Sequence, residues 1–415
     1  MAAQPSASSA SPQITGDGTN LTVYLLTIGQ GDAIWERFGH NAIWIHDEAR
    51  SLDIAYNWGL FDFNDADFYS RFARGDMRYW MGALGLTETI AFYRGANRSI
   101  YAQELDLTPA QKRDLQAFVE WNALPQNRYY SYDYFRDNCS TRVRDAIDRV
   151  LGGAIQRVSD RTITQTTYRS HTRRLIQRDH LFYTGIHFGL GQPADRRISV
   201  WEEMFLPMRM RESLRSVRVS RPGGIEVPLV KREIEVFRST RPDEPASPPN
   251  DLPVYFAIGV AVAAILAALG GVAARRPSPR AFAIAAGTWT LVIGIAGTGL
   301  AALWLFTQHV YSYHNENLLQ SNPLTLVLAF ALFASAGTTS VANKAQTGTR
   351  TRTLAFVVAG LSVLGFLIQV LPSFYQVNGE IIALMLPANV VIALVLFRRW
   401  GQKLLPDAGE RGEPN

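Results

Sequence analysis

The chain has 415 residues, one cysteine (Cys139) and a net charge of +5, from 41 Lys and Arg against 36 Asp and Glu. A single cysteine excludes a disulfide framework and any cysteine-rich metal site, the seven histidines show no HExxH-type spacing, and so small a basic excess gives no reason to invoke nucleic acid. No metal or cofactor is expected, and the composition breaks near residue 250, from a mixed, charge-rich region to long apolar runs.

Residues 1–20, rich in Ala, Ser and Pro, predict a disordered tail without the apolar stretch of an export signal. Residues 21–28 read as a strand. In a second strand, 38–46, one face carries His40, Ala42, Trp44 and His46 and the other Asn41, Ile43 and Ile45. A third follows over 52–58, then a short helix over 65–73 and strands over 77–83 and 99–107. Thr108-Pro109 opens a helix carrying Leu115, Phe118 and Val119. Strands in antiparallel series with interspersed helices predict an α+β domain over 21–238. Within it, 142–178 is strongly basic, and 185–217, with Trp201, Phe205, Met208 and Met210, suits either core packing or an amphipathic element on a bilayer. A last strand is expected over 225–237, then a proline-rich linker over 239–252.

The segment YYSYDYFRDNCSTRVRDAIDRVL, 129–151, holds the chemistry. Val143, Ala146, Ile147, Val150 and Leu151 recur at helical spacing, so Cys139 falls at a helix start with Asn138 or Asp137 as the cap. Unpaired N–H groups and the helix dipole there favour a thiolate. The plain alternative is a small buried hydrophobe, but the Asn, Ser, Thr and Arg flanks are not those of a core. A nucleophilic cysteine needs a base. His40, at a strand start, is the choice, because His171 and His180 lie among arginines that disfavour an imidazolium. A base on a strand facing a thiol at a helix start is a papain-like arrangement, here with His before Cys as in the circularly permuted NlpC-like fold that includes lecithin:retinol acyltransferase. Asn57 is the expected orienting residue, from the neighbouring strand, with His46 as second choice. Asn138 and Tyr134 are expected to contact substrate beside the thiol.

Five apolar segments, 253–274, 281–306, 323–341, 353–372 and 380–397, approach or reach the length that crosses a bilayer. Arg275, Arg276 and Arg280 follow the first, Lys344, Arg350 and Arg352 precede the fourth, and Arg398, Arg399 and Lys403 follow the fifth, whereas loops 307–322 and 373–379 hold no Lys or Arg. The N-terminal domain and those two loops are therefore expected outside the cytoplasm, with 398–415 as a cytoplasmic tail. Export of that domain requires a signal or membrane anchor, which is expected upstream of the start as written. The outer loop QHVYSYHNENLLQSN concentrates His309, His314, Asn315, Glu316 and Asn317 at the membrane face, and His309, His314, Glu316 and Asn317 are candidate substrate contacts.

The motifs RFGHNAIWI, YNWGLFDF, YDYFRDNCSTRVRD and GLGQPADRRISVWEEMFLP, with NENLLQSNP in the membrane half, resemble those of the Lnb-type lipoprotein N-acyltransferases, over roughly residues 21–220. The resemblance implies a thiol acyltransferase of the bacterial inner membrane with a periplasmic domain and with His40 and Cys139 at its site. It would move an acyl chain from a phospholipid, or from a lipoprotein's own diacylglyceryl group, to a lipoprotein N-terminal amine. The competing readings are an NlpC-like cell-wall peptidase or amidase, a phospholipase-type thiol hydrolase and a non-catalytic membrane receptor.

Overall fold

The computed structural model describes residues 16–221, 223–272, 278–337 and 341–404. Most of both predicted tails, with Arg275 and Arg276, lies outside the described residues. The chain forms two units: Met1–Asp179 with Arg196–Pro248, and His180–Asp195 with Pro249–Asn415.

The first unit is built on an antiparallel sheet of seven strands: β1 (Leu21–Ile28), β2 (His40–Asp47), β3 (Leu52–Leu60), β4 (Met77–Gly85), β5 (Ile100–Leu105), β6 (Tyr129–Tyr132) and β11 (Val230–Phe237), in the order β11-β5-β1-β2-β3-β4-β6. Its central strands are apolar on both faces, because helices cover both. One face buries Val23, Leu25, Ile43, Ile45, Tyr56 and Trp58 with Leu115 and Val119 of α3 (Pro109–Ala123) and Val143 and Ile147 of α4 (Cys139–Val150). The other buries Tyr24, Leu26, Ile28, Ala42, Ile100 and Ala102 under Leu86, Ile90 and Tyr93 of α2 (Leu86–Gly95). Thr108 caps α3 through Gln111 N–H, with Pro109 at its first position, as the sequence predicts.

Between β3 and β4 lies α1 (Phe68–Arg74); after α4 come α5 (Ala154–Ser159), β7 (Ile163–Thr167), α6 (Tyr168–Ile176), β8 (Arg197–Ser199), α8 (Val200–Glu203) and α9 (Pro207–Leu214). Met204, Phe205 and Met210 are buried in the first unit, so this stretch is core. The single strand expected over 225–237 is instead two. β10 (Ile225–Pro228) pairs with β9 (Arg218–Arg221), while β11 pairs with β5. Pro228 cannot donate to a ladder, and buried Leu229 turns the chain between the two sheets.

Among the described residues the second unit holds five helical segments long and apolar enough to cross a membrane, as a multi-pass membrane protein requires: Leu252–Gly270, Pro279–Phe306, Glu316–Gly337, Gly348–Val370 and Gly379–Arg398. Their α-helices are α10 (Leu252–Gly270), α11 (Pro279–Phe306), α12 (Pro323–Gly337), which a turn over Glu316–Leu319 precedes, α13 (Val341–Leu367) and α14 (Gly379–Leu404). Buried polar side chains join them: Gln320 Nε2 donates to Ser362 O at 2.9 Å, and Asn389 Nδ2 donates to Ser362 Oγ at 2.7 Å and Gln320 O at 3.0 Å. Residues 180–195, expected within the extracytoplasmic domain, group with this unit. The reason is α7 (His180–Gly189), whose Tyr183 hydroxyl donates to Glu380 at 3.1 Å and whose His187 lies 3.2 Å from the same carboxylate. Asn315 and Asn317 donate side-chain N–H groups to its terminal carbonyls at Phe188, Gly189 and Leu190.

Candidate active site

Cys139 is the first residue of α4. The helix begins there because Asn138 is extended and its Oδ1 accepts from the N–H groups of Ser140 and Thr141 at 2.8 and 3.0 Å, while Thr141 Oγ1 accepts from Asn138 N–H at 2.8 Å. The other end of that amide donates to the carbonyls of Tyr134 and Phe205, both at 3.0 Å. Asn138 and Tyr134, expected to touch substrate, are thus engaged in setting the helix start. Ser140, the next residue, anchors α4 to the sheet: its hydroxyl accepts from buried Asn41 Nδ2 at 2.9 Å and donates to Met204 O at 2.6 Å.

β2 and β3 supply the rest. Ala42 pairs with Asn57, so His40, two residues back on the same face, lies diagonally across from the Asn57 side chain. Asn57 Oδ1 is 3.1 Å from His40 Nε2. Asn57 Nδ2 donates to Ala55 O at 2.9 Å, which turns its carbonyl oxygen toward the imidazole. Nε2 is then the protonated nitrogen and Nδ1 the basic one. His46, the second choice as orienting residue, bonds Asp53 at 3.0 Å, about 20 Å along the strand from His40. His171 is held by Glu203 at 2.8 Å and by Arg174 at 2.9 Å.

The thiol and the imidazole share surroundings. The N–H of Asn41, next in chain to His40, points at the Cys139 sulfur, as does that of Ser140. The Tyr93 ring lies 6.1 Å from that of His40, and the Arg98 guanidinium sits over Tyr93 at 5.0 Å. Burial pushes the Cys139 thiol up, more than the N–H groups and Arg98 pull it down. His40 is lowered to about 4, by burial first and the Arg98 charge second, against the pull of Asn57. The helix start alone suggests a standing thiolate; here desolvation outweighs it, and the resting pair is neutral thiol and neutral imidazole.

A pH profile follows from this. Below about pH 4 His40 Nδ1 is occupied by a proton and cannot accept one from the thiol; above it the base is free. The acid limb of turnover is expected near 4, and an acid limb between 6 and 7 would mean a solvated imidazole.

Gly59 is a residue that the motif YNWGLFDF contains but whose role no local signal reveals. Its φ is +88°, and a Cβ built on it would lie 3.3 Å from Cys139 Cβ. Gly59→Ala is expected to lower stability by about 1–3 kcal/mol through backbone strain and to displace the thiol. Thermal unfolding and turnover of the same preparation measure both. Asn41, Tyr93 and Arg98 were likewise not legible, since only the register brings them here.

The outer-loop candidates belong to the second unit. Glu316 is buried, with Gln369 Nε2 at 2.6 Å and the Gln376 backbone N–H at 3.2 Å. Asn317 is buried at the end of α7, while His314 is exposed, with φ +49° and its ring 5.1 Å from that of Trp304; His309 is half-buried.

Residues 11–174 match the family model described as the Lnb N-terminal periplasmic domain. No curated protein and no solved structure matches the chain.

Proposed function

We propose that this chain, whose residues 11–174 match the Lnb N-terminal periplasmic domain, is a papain-like thiol acyltransferase of the bacterial inner membrane, acting on lipoprotein N-termini. The observation that carries this reading is the His40–Asn57 pair, 3.1 Å apart, beside a cysteine that leads a capped helix. In the first half-reaction Cys139 sulfur attacks a lipid ester carbonyl while its proton passes to His40 Nδ1. The tetrahedral oxyanion is received by the backbone N–H of Cys139, the first-turn donor that Asn138 does not hold. It collapses with cleavage of the C–O bond, and the leaving alcohol takes the proton from His40. An acyl thioester and a lipid short of one chain result. In the second, the neutral amine of a lipoprotein's N-terminal cysteine attacks the thioester and yields a proton to His40. The C–S bond breaks, and the sulfur regains that proton.

Amide formation requires that an amine, not water, resolve the thioester, and five apolar helices supply a setting in which the acyl donor is a membrane lipid. The donor is a phospholipid or the lipoprotein's own diacylglyceryl group. Mass spectrometry of lipoprotein N-termini, from cells with and without this chain and from purified protein with a diacylated lipopeptide, tests the reading. An added amide-linked acyl chain is expected only with the active chain. Release of free fatty acid alone would make it a hydrolase, and unaltered lipids with cleaved cell-wall peptide would make it a peptidase or amidase.

A further inference from the structure

We infer that α7, a helix too short to span a bilayer, is itself embedded in lipid, lying at the membrane boundary where α10 and α14 begin, with the face of Leu181, Phe182 and Gly185 against acyl chains. The partner is the lipid of that leaflet, and the inference goes beyond the acyltransferase reading without depending on it.

The polarity of the helix is the reverse of what water requires. Tyr183 and His187, one turn apart, are buried and turn inward to the Glu380 carboxylate, whereas Leu181 is 82% and Phe182 48% exposed. A helix between a protein core and water buries its apolar stripe and turns its polar side chains out. The sequence of α7, HLFYTGIHFG, contains no Lys, Arg, Asp or Glu that could face solvent. Gly185 follows Leu181 by one turn and Gly189 follows Gly185 by another, and a Cβ built on either would meet nothing within 4 Å. Packing therefore does not call for glycine at these two positions. Glycine weakens a helix that faces water and is more frequent in membrane helices than in soluble ones.

Contacts within the second unit set the level of the helix. The Thr184 and Tyr255 hydroxyls share a hydrogen bond, and Tyr183 reaches Glu380. Tyr255 lies in the first turn of α10 and Glu380 in the first turn of α14, so each is within roughly 5 Å of the start of a span. Phe188, near the other end of α7, packs against Ile293, Ile381 and Met385 of two spans. The exterior of α10 beside Tyr255 is apolar too, with Leu252, Val254 and Phe256 exposed, and Leu181 and Phe182 add to the same kind of surface. A protein partner is oriented by hydrogen bonds and charges at its rim, and this face has neither; lipid chains need neither. The chain enters α7 from Asp179 and leaves this segment for Arg196, both residues of the first unit, so that unit is tied to the bilayer by these two passages as well as by the linker.

The test uses the full chain with Cys139→Ala, which removes its one thiol, in nanodiscs of phosphatidylcholine and phosphatidylglycerol. Leu181→Cys and Gly185→Cys, made separately, each carry a polarity-sensitive nitrobenzoxadiazole label, and Phe256→Cys on the exterior of α10 gives the signal of a lipid-facing site. Both α7 positions are exposed, so the fold is not at stake. The quenchers are a water-soluble nickel chelate and phospholipids with a nitroxide either near the headgroup or at the chain end.

Both α7 labels are expected to emit to the blue of the same label in water, as at Phe256, and to be quenched more by lipid nitroxides than by the chelate. The nitroxide near the headgroup should quench more than that at the chain end, as for a helix roughly 5–10 Å below the surface. Water-like emission with quenching chiefly by the chelate would place the face in solvent and overturn the inference. Labels reached by neither kind of quencher would mean that protein covers the face, the first unit or a second copy of the chain, and would overturn it as well. Because the Cys139→Ala chain has no nucleophile, the result stands or falls separately from the acyltransferase reading.

Discussion

Cys139→Ser is expected to abolish acyl transfer, with a loss of at least about 1000-fold, while the protein still folds and inserts. The side chain is half-buried and takes part in the first turn of α4 only through its backbone, and the cap is made by Asn138 and Thr141. Stability should therefore change by less than about 1 kcal/mol. The chemical loss has a separate origin. The serine hydroxyl is far less acidic than a thiol already raised by burial, and a base as weak as His40, lowered to about 4, cannot generate its alkoxide. Transfer to a diacylated lipopeptide, followed by mass spectrometry beside a thermal melt, measures both quantities. Near-full activity in the serine variant would remove Cys139 from the chemistry and with it the proposed function.

His40→Ala is expected to cost about 100- to 10,000-fold, the usual worth of a positioned general base. Since the resting thiol is neutral, attack requires proton removal in the same step, and no other imidazole of the first unit stands where His40 does: His46 is tied to Asp53 and His171 to Glu203. Asn57→Ala should cost less, about 10- to 100-fold, by freeing the ring to turn and to exchange its tautomer. The two variants separate by pH. Without His40 the rate should climb with pH toward the thiol's own ionisation, whereas without Asn57 the acid limb persists and moves down, because the hydrogen bond that favours imidazolium is gone. An unchanged pH profile in His40→Ala would assign the base elsewhere.

Local signals carry only so far along this chain. The five apolar runs, the helix that begins at Cys139 and the Thr108-Pro109 helix start are each written within one stretch of sequence, because span length, periodicity and capping act over a few residues. The pairing of the second and third strands, and so the nearness of Asn57 to His40, follows from their short connection. Tertiary structure decided what depends on distant partners. The protonation state of the Cys–His pair reversed the expectation from the helix dipole, since desolvation is set by Tyr93, Arg98 and the other residues that crowd the site. Gly59 takes its meaning from Cys139, 80 residues away in sequence. Residues 225–237 divide between two sheets, and 180–195 join the apolar helices, because hydrogen bonds to β5, Glu380 and Asn315 satisfy backbone and buried polar groups that no neighbour in sequence could satisfy.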